Sequence, residues 1–139
     1  MVRYLLDTNT ISYAFRGEGG IARRLLERPP ADFGIPAPVL FEARAGMLRL
    51  PPGGRRDAML AALDRLLATV PVVPFDAPAA ESAALIRVDL EARGAPIGPL
   101  DTQIAGIARL LNAVLVTRNL DEFGRVGGLA TENWYDSAG

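Results

Sequence analysis

The sequence of 139 residues contains no histidine, no cysteine and no lysine. Each absence removes a chemistry. Without His and Cys there is no Ser-His-Asp or Cys-His nucleophile, no imidazole base working near neutral pH, and no zinc site of the usual nitrogen and sulfur type. Without Lys there is no Schiff-base catalysis and no phosphate-cradling P-loop lysine. Long uncharged runs are also missing. No window approaches the roughly 18 apolar residues of a membrane span, and the opening run Val2 to Leu6 is too short for a signal peptide and stops at Asp7. These features predict a soluble, cytoplasmic protein with no membrane partner and a single domain over residues 1–139, long enough to bury a core without disulfides.

What remains is 15 arginines against 16 acidic residues, a net charge of −1 that exerts no global pull on nucleic acid. If the chain is an enzyme, carboxylates carry much of its chemistry.

Val2 to Leu6 and Ala113 to Val116 are short, continuous apolar runs, the pattern of parallel strands covered on both faces. Each ends in polar residues, Asp7-Thr8-Asn9 and Thr117-Arg118-Asn119, where open α/β sheets bind ligands. Phe33 to Ile35 and Val70 to Val73 are weaker strand candidates. Between them the period becomes helical. Met59, Leu63, Leu66 and Val70 form one stripe; Ala79, Ala83, Ile86 and Leu90 form another, with Asp76 as N-cap, Pro78 in the first turn and Gly94 as a stop. Pro51-Pro52-Gly53-Gly54 reads as a break between helices. The alternation predicts an α/β fold, a three-layer α/β/α sandwich around a central, mainly parallel sheet.

Four places carry candidate chemistry, and each has a structural alternative. Asp7 is a carboxylate at the mouth of the sheet or the N-cap of a helix over Thr10 to Phe15. Glu42 shares a helical face with Pro38, Ala45 and Gly46, which leaves room beside its carboxylate, or it pairs with Arg44 or Arg49 on a solvated face. Asp101 continues the apolar stripe of Ile104, Ala105, Ala108 and Leu111. It reads as an N-cap, or as an acid that the helix dipole keeps ionised and able to bind a metal. In Thr117 to Phe123, a strand end followed by a helical turn, Asn119 and Glu122 face the same way and Asp121 points elsewhere.

Convergence of these acids would be costly. Two unit charges about 4 Å apart repel by roughly 4 kcal/mol at an effective dielectric of 20, so several together rival the stability of a domain. A divalent cation offsets that repulsion, and an all-oxygen site suits Mg²⁺ or Mn²⁺.

Convergence itself is not readable from spacing. The stretches Leu5-Leu-Asp-Thr-Asn9, Val39-Leu-Phe-Glu-Ala43, Pro99-Leu-Asp-Thr-Gln-Ile-Ala105, Leu115-Val-Thr-Arg-Asn-Leu-Asp-Glu-Phe123 and Gly128-Leu-Ala-Thr-Glu-Asn-Trp134, in this order, resemble the PIN-domain family, specifically the VapC-type toxins of bacterial toxin–antitoxin pairs. The resemblance spans nearly the whole chain. It implies a metal-dependent endoribonuclease in which Asp7, Glu42 and Asp101 hold Mg²⁺ or Mn²⁺, with Asn9 and Thr117 supporting them through hydrogen bonds. Many relatives carry an Asp where this chain has Asn119, and Glu122 is the candidate to supply that fourth acid. The family also implies an RNA substrate, a homodimer and a cognate antitoxin that covers the active site. Trp134 and Tyr135 suit either the core or an interface.

Two rivals stand beside this reading. Leu5-Leu-Asp-Thr-Asn-Thr10 is similar to the nucleophile strand of HAD-type phosphatases, although Asn9 replaces the second acid of that family and its later Lys is missing. Arg23-Arg24, Arg28 and Arg55-Arg56 also suit a noncatalytic RNA- or protein-binding module, or simply solvated helix faces. Gly17-Glu-Gly-Gly20 follows a helical segment and reads as a flexible turn.

Overall fold

The computed structural model describes residues 1–136. The chain runs through strand β1 (Tyr4–Leu6), helices α1 (Thr8–Phe15) and α2 (Ile21–Leu26), a 3₁₀ turn, β2 (Phe33–Pro36), α3 (Ala37–Leu48), α4 (Gly54–Leu67), β3 (Val72–Val73), α5 (Ala77–Ala92), α6 (Pro99–Leu111), β4 (Val114–Val116), α7 (Leu120–Phe123) and β5 (Ala130–Glu132). Five parallel strands form one sheet in the order β3-β2-β1-β4-β5. The order reverses between β1 and β4. A sheet wound outward in both directions leaves a crevice at the carboxyl ends of those two strands, because the following helices leave toward opposite faces.

β1 and β2 are buried along their whole length, as their continuous apolar runs require. Beneath them Tyr4, Phe33 and Trp134 pack as an aromatic cluster with ring centroids 5.2–6.0 Å apart. Trp134 is therefore a core residue, 1% exposed, whose indole N–H donates to Glu132 Oε1 at 2.8 Å. Tyr135 is half-buried and packs edge-on against Tyr13, 4.6 Å between centroids.

Helix α5 follows its sequence signals: Asp76 accepts the N–H of Ala79, a proline stands in the first turn, and Gly94 adopts φ +68° just past the end. Its buried stripe of Ala79, Ala83, Ile86 and Leu90 packs on α6. The contact is close at Gly106, where an added Cβ would lie 2.7 Å from the Ala83 Cβ. The Ser82 hydroxyl donates to the Gly106 carbonyl at 2.8 Å across the same seam. The stripe on α4 is shorter than its spacing predicts. The helix ends at Leu67, and Val70 is buried from the connection beyond it. Pro51 to Gly53 separate α3 from α4, and Gly17 and Gly19 make the turn between α1 and α2 with φ near +70°.

Candidate active site

Asp7 follows β1 directly and is also the N-cap of α1, which starts at Thr8, two residues before the expected Thr10. Both readings of this residue therefore hold at once. Its Oδ1 accepts the Thr10 amide at 2.8 Å, and its Oδ2 accepts the Thr117 hydroxyl at 2.5 Å from the end of β4. Thr117 in turn accepts the Asn119 amide at 3.0 Å. Thr10 donates its hydroxyl to the Val116 carbonyl at 3.0 Å, so two threonines tie the ends of β1 and β4 together across the crevice. Asp7 is 5% exposed, and burial raises its pKa above the ordinary carboxylate value, while the Thr10 and Thr117 hydrogen bonds pull it back.

Glu42 comes from the middle of α3 and turns toward β1. Its Oε1 accepts the Thr8 hydroxyl at 3.1 Å. The expected alternative partner Arg44 instead pairs with Asp64 of α4 at 2.9 Å. Thr8 is a residue the sequence reading missed; its position beside Asp7 in a polar Asp-Thr-Asn-Thr run was the available signal.

Asp101 lies in the first turn of α6, not at its cap. The helix begins at Pro99 with Gly98 as N-cap, because proline already supplies the φ of a first helical residue. Nor does the helix dipole keep Asp101 fully ionised. Burial raises its pKa to about 7, reinforced by a hydrogen bond and repulsion from Glu122, and then by the charges of Glu42 and Asp7.

Asn119 is the N-cap of α7, and its Oδ1 accepts the Glu122 amide at 3.4 Å. That local role orients the turn that carries Glu122 to Asp101. Asp121 is exposed. Asn9 is exposed at the rim. Arg118 leans outward, its guanidinium 3.8 Å from the Tyr135 ring centre and 3.4 Å from Asp136.

Asp7, Glu42, Asp101 and Asn119 line one pocket of about 190 Å³, together with Thr8, Asn9, Ile104 and Phe123. A larger hollow of about 510 Å³ lies between α5 and α6, lined by Phe75, Ala83, Leu90 and Ile97 among others, and gathers no comparable set of acids. The acids of the smaller pocket are in electrostatic contact, yet among the described residues no three stand close enough to grip a cation as they are. Both Asp7 oxygens, one Glu42 oxygen and the Asp101 carboxyl each already hold a partner from the protein. As a donor set they fit a hard divalent cation, being all oxygen and mutually repulsive.

Comparison with known proteins gives this arrangement a lineage. A PIN domain family model matches residues 4–129. The chain is 33% identical over 134 residues to the tRNA(fMet)-specific endonuclease VapC of Shigella flexneri, covering 96% of this chain and 99% of that one. Among solved structures it superimposes on VapBC from Salmonella typhimurium, bound to DNA, with a TM-score of 0.86, 30% identity and coverage of 96% and 99%. VapBC2 from Rickettsia felis, bound to a promoter DNA fragment, gives a TM-score of 0.82 at 29% identity over the same shares. The ordered acidic motifs, the parallel sheet and these matches agree: the chain belongs to the PIN-domain family, in its VapC group.

Proposed function

We propose that this protein is a toxin endoribonuclease that hydrolyses RNA phosphodiester bonds with Mg²⁺ or Mn²⁺, and that a cognate antitoxin neutralises it. The reading is supported first by the pKa of Asp101. Burial, together with the acids Glu122, Glu42 and Asp7 from three other parts of the chain, raises the Asp101 carboxyl to about 7, the signature of groups sharing one small volume. The names of the relatives, a tRNA-specific endonuclease and VapBC assemblies, support the reaction class and the partner.

Asp7, Glu42 and Asp101 would hold the cation. When bound, the cation lowers the pKa of a water and offsets the charge that builds on the phosphate oxygens. The protein's own groups do the rest. Thr117 and the Thr10 amide fix the Asp7 carboxylate, and Thr8 fixes Glu42, so neither must reorganise far as substrate arrives. Glu122, hydrogen-bonded to Asp101, accepts the proton of the attacking water.

Protein partners have surfaces to cover. Leu40, Phe41 and Leu48 form an apolar strip on α3, with Phe41 64% exposed, and Leu85 and Val88 form another on α5. We assign these strips to the antitoxin and to a second copy of the chain in a homodimer. An RNA substrate and a protein antitoxin place the toxin of this reading in the cytoplasm. No helix among the described residues is long and apolar enough to cross a membrane.

The rival reading as a noncatalytic binding module draws on Arg23, Arg24, Arg28, Arg55 and Arg56. Incubation of end-labelled RNA with the protein separates the two. The nuclease cleaves in Mg²⁺ and stops on addition of chelator; RNA bound tightly, uncut and indifferent to chelator would establish the module.

A further inference from the structure

A second groove, of about 270 Å³, opens beside the acid pocket between α1, α3 and α4. Thr8, Asn9 and Glu42 line both hollows, so the two adjoin at these residues. Ser12, Arg16 and Arg55 also line the groove. Arg16 is engaged by Glu18 at 2.6 Å. Arg55 differs: among the described residues it enters no ion pair and no side-chain hydrogen bond.

Local folding does not ask for a cation at this position. Arg55 and Arg56 occupy the first turn of α4, the positive end of the helix dipole, where an acid stabilises and a cation is disfavoured. The α4 helix has a stabilising acid there, Asp57, and a basic residue at its favourable end, Arg65. Arg55 thus sits against its own helix field, exposed, on the wall of a groove that adjoins the acid pocket.

A polyanion entering the acid pocket meets repulsion, and a net charge of −1 supplies no compensating field. Positive charge must therefore be local. We propose that this groove seats the single-stranded RNA adjoining the scissile phosphate, with Arg55 as the contact to a neighbouring phosphate and Arg16 as a secondary one. The proposal rests on the nuclease reading for its substrate. Ala43, Met47, Leu50 and Met59 make part of this lining apolar, but the hydroxyls, the amide and the two guanidinium groups of Thr8, Ser12, Asn9, Arg16 and Arg55 suit a phosphate backbone, whereas the strip of Leu40, Phe41 and Leu48 on α3 suits a protein.

The test measures anisotropy of a short end-labelled single-stranded RNA of mixed sequence in chelator, where no cleavage intervenes, for wild type, Arg55→Ala, Arg55→Lys and Arg65→Ala. The expected result is affinity about three- to tenfold weaker in Arg55→Ala, with the slope of log affinity against log salt lower by about 0.7, the loss of one phosphate contact. Arg55→Lys restores most of the binding, and Arg65→Ala, at the other end of α4, binds as wild type does. In Mg²⁺, Arg55→Ala raises KM by a similar factor with kcat unchanged. Wild-type affinity and salt slope in Arg55→Ala would overturn the proposal and leave the groove to a protein partner; equal loss in Arg65→Ala would overturn it in favour of diffuse attraction. If wild type cleaves no RNA at all, the nuclease reading fails, and the anisotropy series still decides the groove.

Discussion

Asp7 and Asp76 perform the same local task at two places in the sheet. Each follows a strand, each caps a helix, and each accepts the amide of the residue three positions on, at 2.8 Å and 3.2 Å. Their surroundings differ. Asp76 follows the edge strand β3 and stays exposed, so one oxygen caps and the other meets water. Asp7 follows the central strand β1 at the point where the strand order reverses, and its second oxygen is held by Thr117 in a buried setting. A cap needs only one hydrogen bond. A buried carboxylate disfavoured by desolvation and surrounded by further acids needs a reason outside folding, and a cation supplies one.

Exchange of each aspartate for asparagine, which still caps, separates the two roles. Asp7→Asn is expected to lose RNA cleavage by at least about 100-fold while its metal-free form is no less stable than wild type, because a buried charge has been removed. Asp76→Asn keeps cleavage within about twofold. Cleavage assays paired with thermal unfolding check both halves; equal activity in the two variants would dissolve the distinction.

Gly106 bears on the site because Asp101 depends on how α6 seats against α5. Gly106→Ala places a methyl 2.7 Å from the Ala83 Cβ and is expected to cost about 1–3 kcal/mol in denaturant unfolding. Cleavage should fall as well, because the helix that carries Asp101 must shift. A Gly106→Ala variant as stable and active as wild type would show that the α5–α6 seam does not set the site.

Smaller, but diagnostic of charge, is the pH dependence of the metal-free protein. The folded pKa of Asp101, about 7, lies above the 3.8 of the unfolded chain, so between these values the folded state binds more protons. Its contribution to stability is full below about pH 4 and is lost as pH rises toward 7. Asp101→Asn removes this slope and gains roughly 1–2 kcal/mol on wild type at about pH 7.5 in chelator, a figure reduced for solvent screening. A variant whose pH profile parallels that of wild type would contradict the raised pKa of Asp101.

Residue by residue, legibility in the sequence followed the range of the physics. β1 and β4 were readable because burial on both faces demands unbroken apolar runs, and α5 because Asp76, Pro78 and Gly94 mark its ends locally. Val70 misled because a buried residue just beyond a helix continues the helical stripe without belonging to it. Asp101 was read as a possible cap and as ionised. Pro99 fixes where α6 starts, and the protonation of Asp101 depends on Glu122, Glu42 and Asp7, which only the folded sheet brings near. The threonine bonds, Thr8 to Glu42 and Thr117 to Asp7, span 34 and 110 residues of sequence and leave no periodic trace. Family resemblance supplied the expectation that the acids converge, and geometry supplied what each of them touches.

Magnesium titration followed by thermal unfolding, across wild type, Asp7→Asn, Glu42→Gln, Asp101→Asn and Asp76→Asn, tests the cation site most directly. The account predicts that wild type and Asp76→Asn gain stability with Mg²⁺, by about 2.7 kcal/mol at a hundredfold excess over Kd, while the other three gain little. Stabilisation that is absent in wild type, or undiminished when Asp7, Glu42 and Asp101 are changed one at a time, would contradict it.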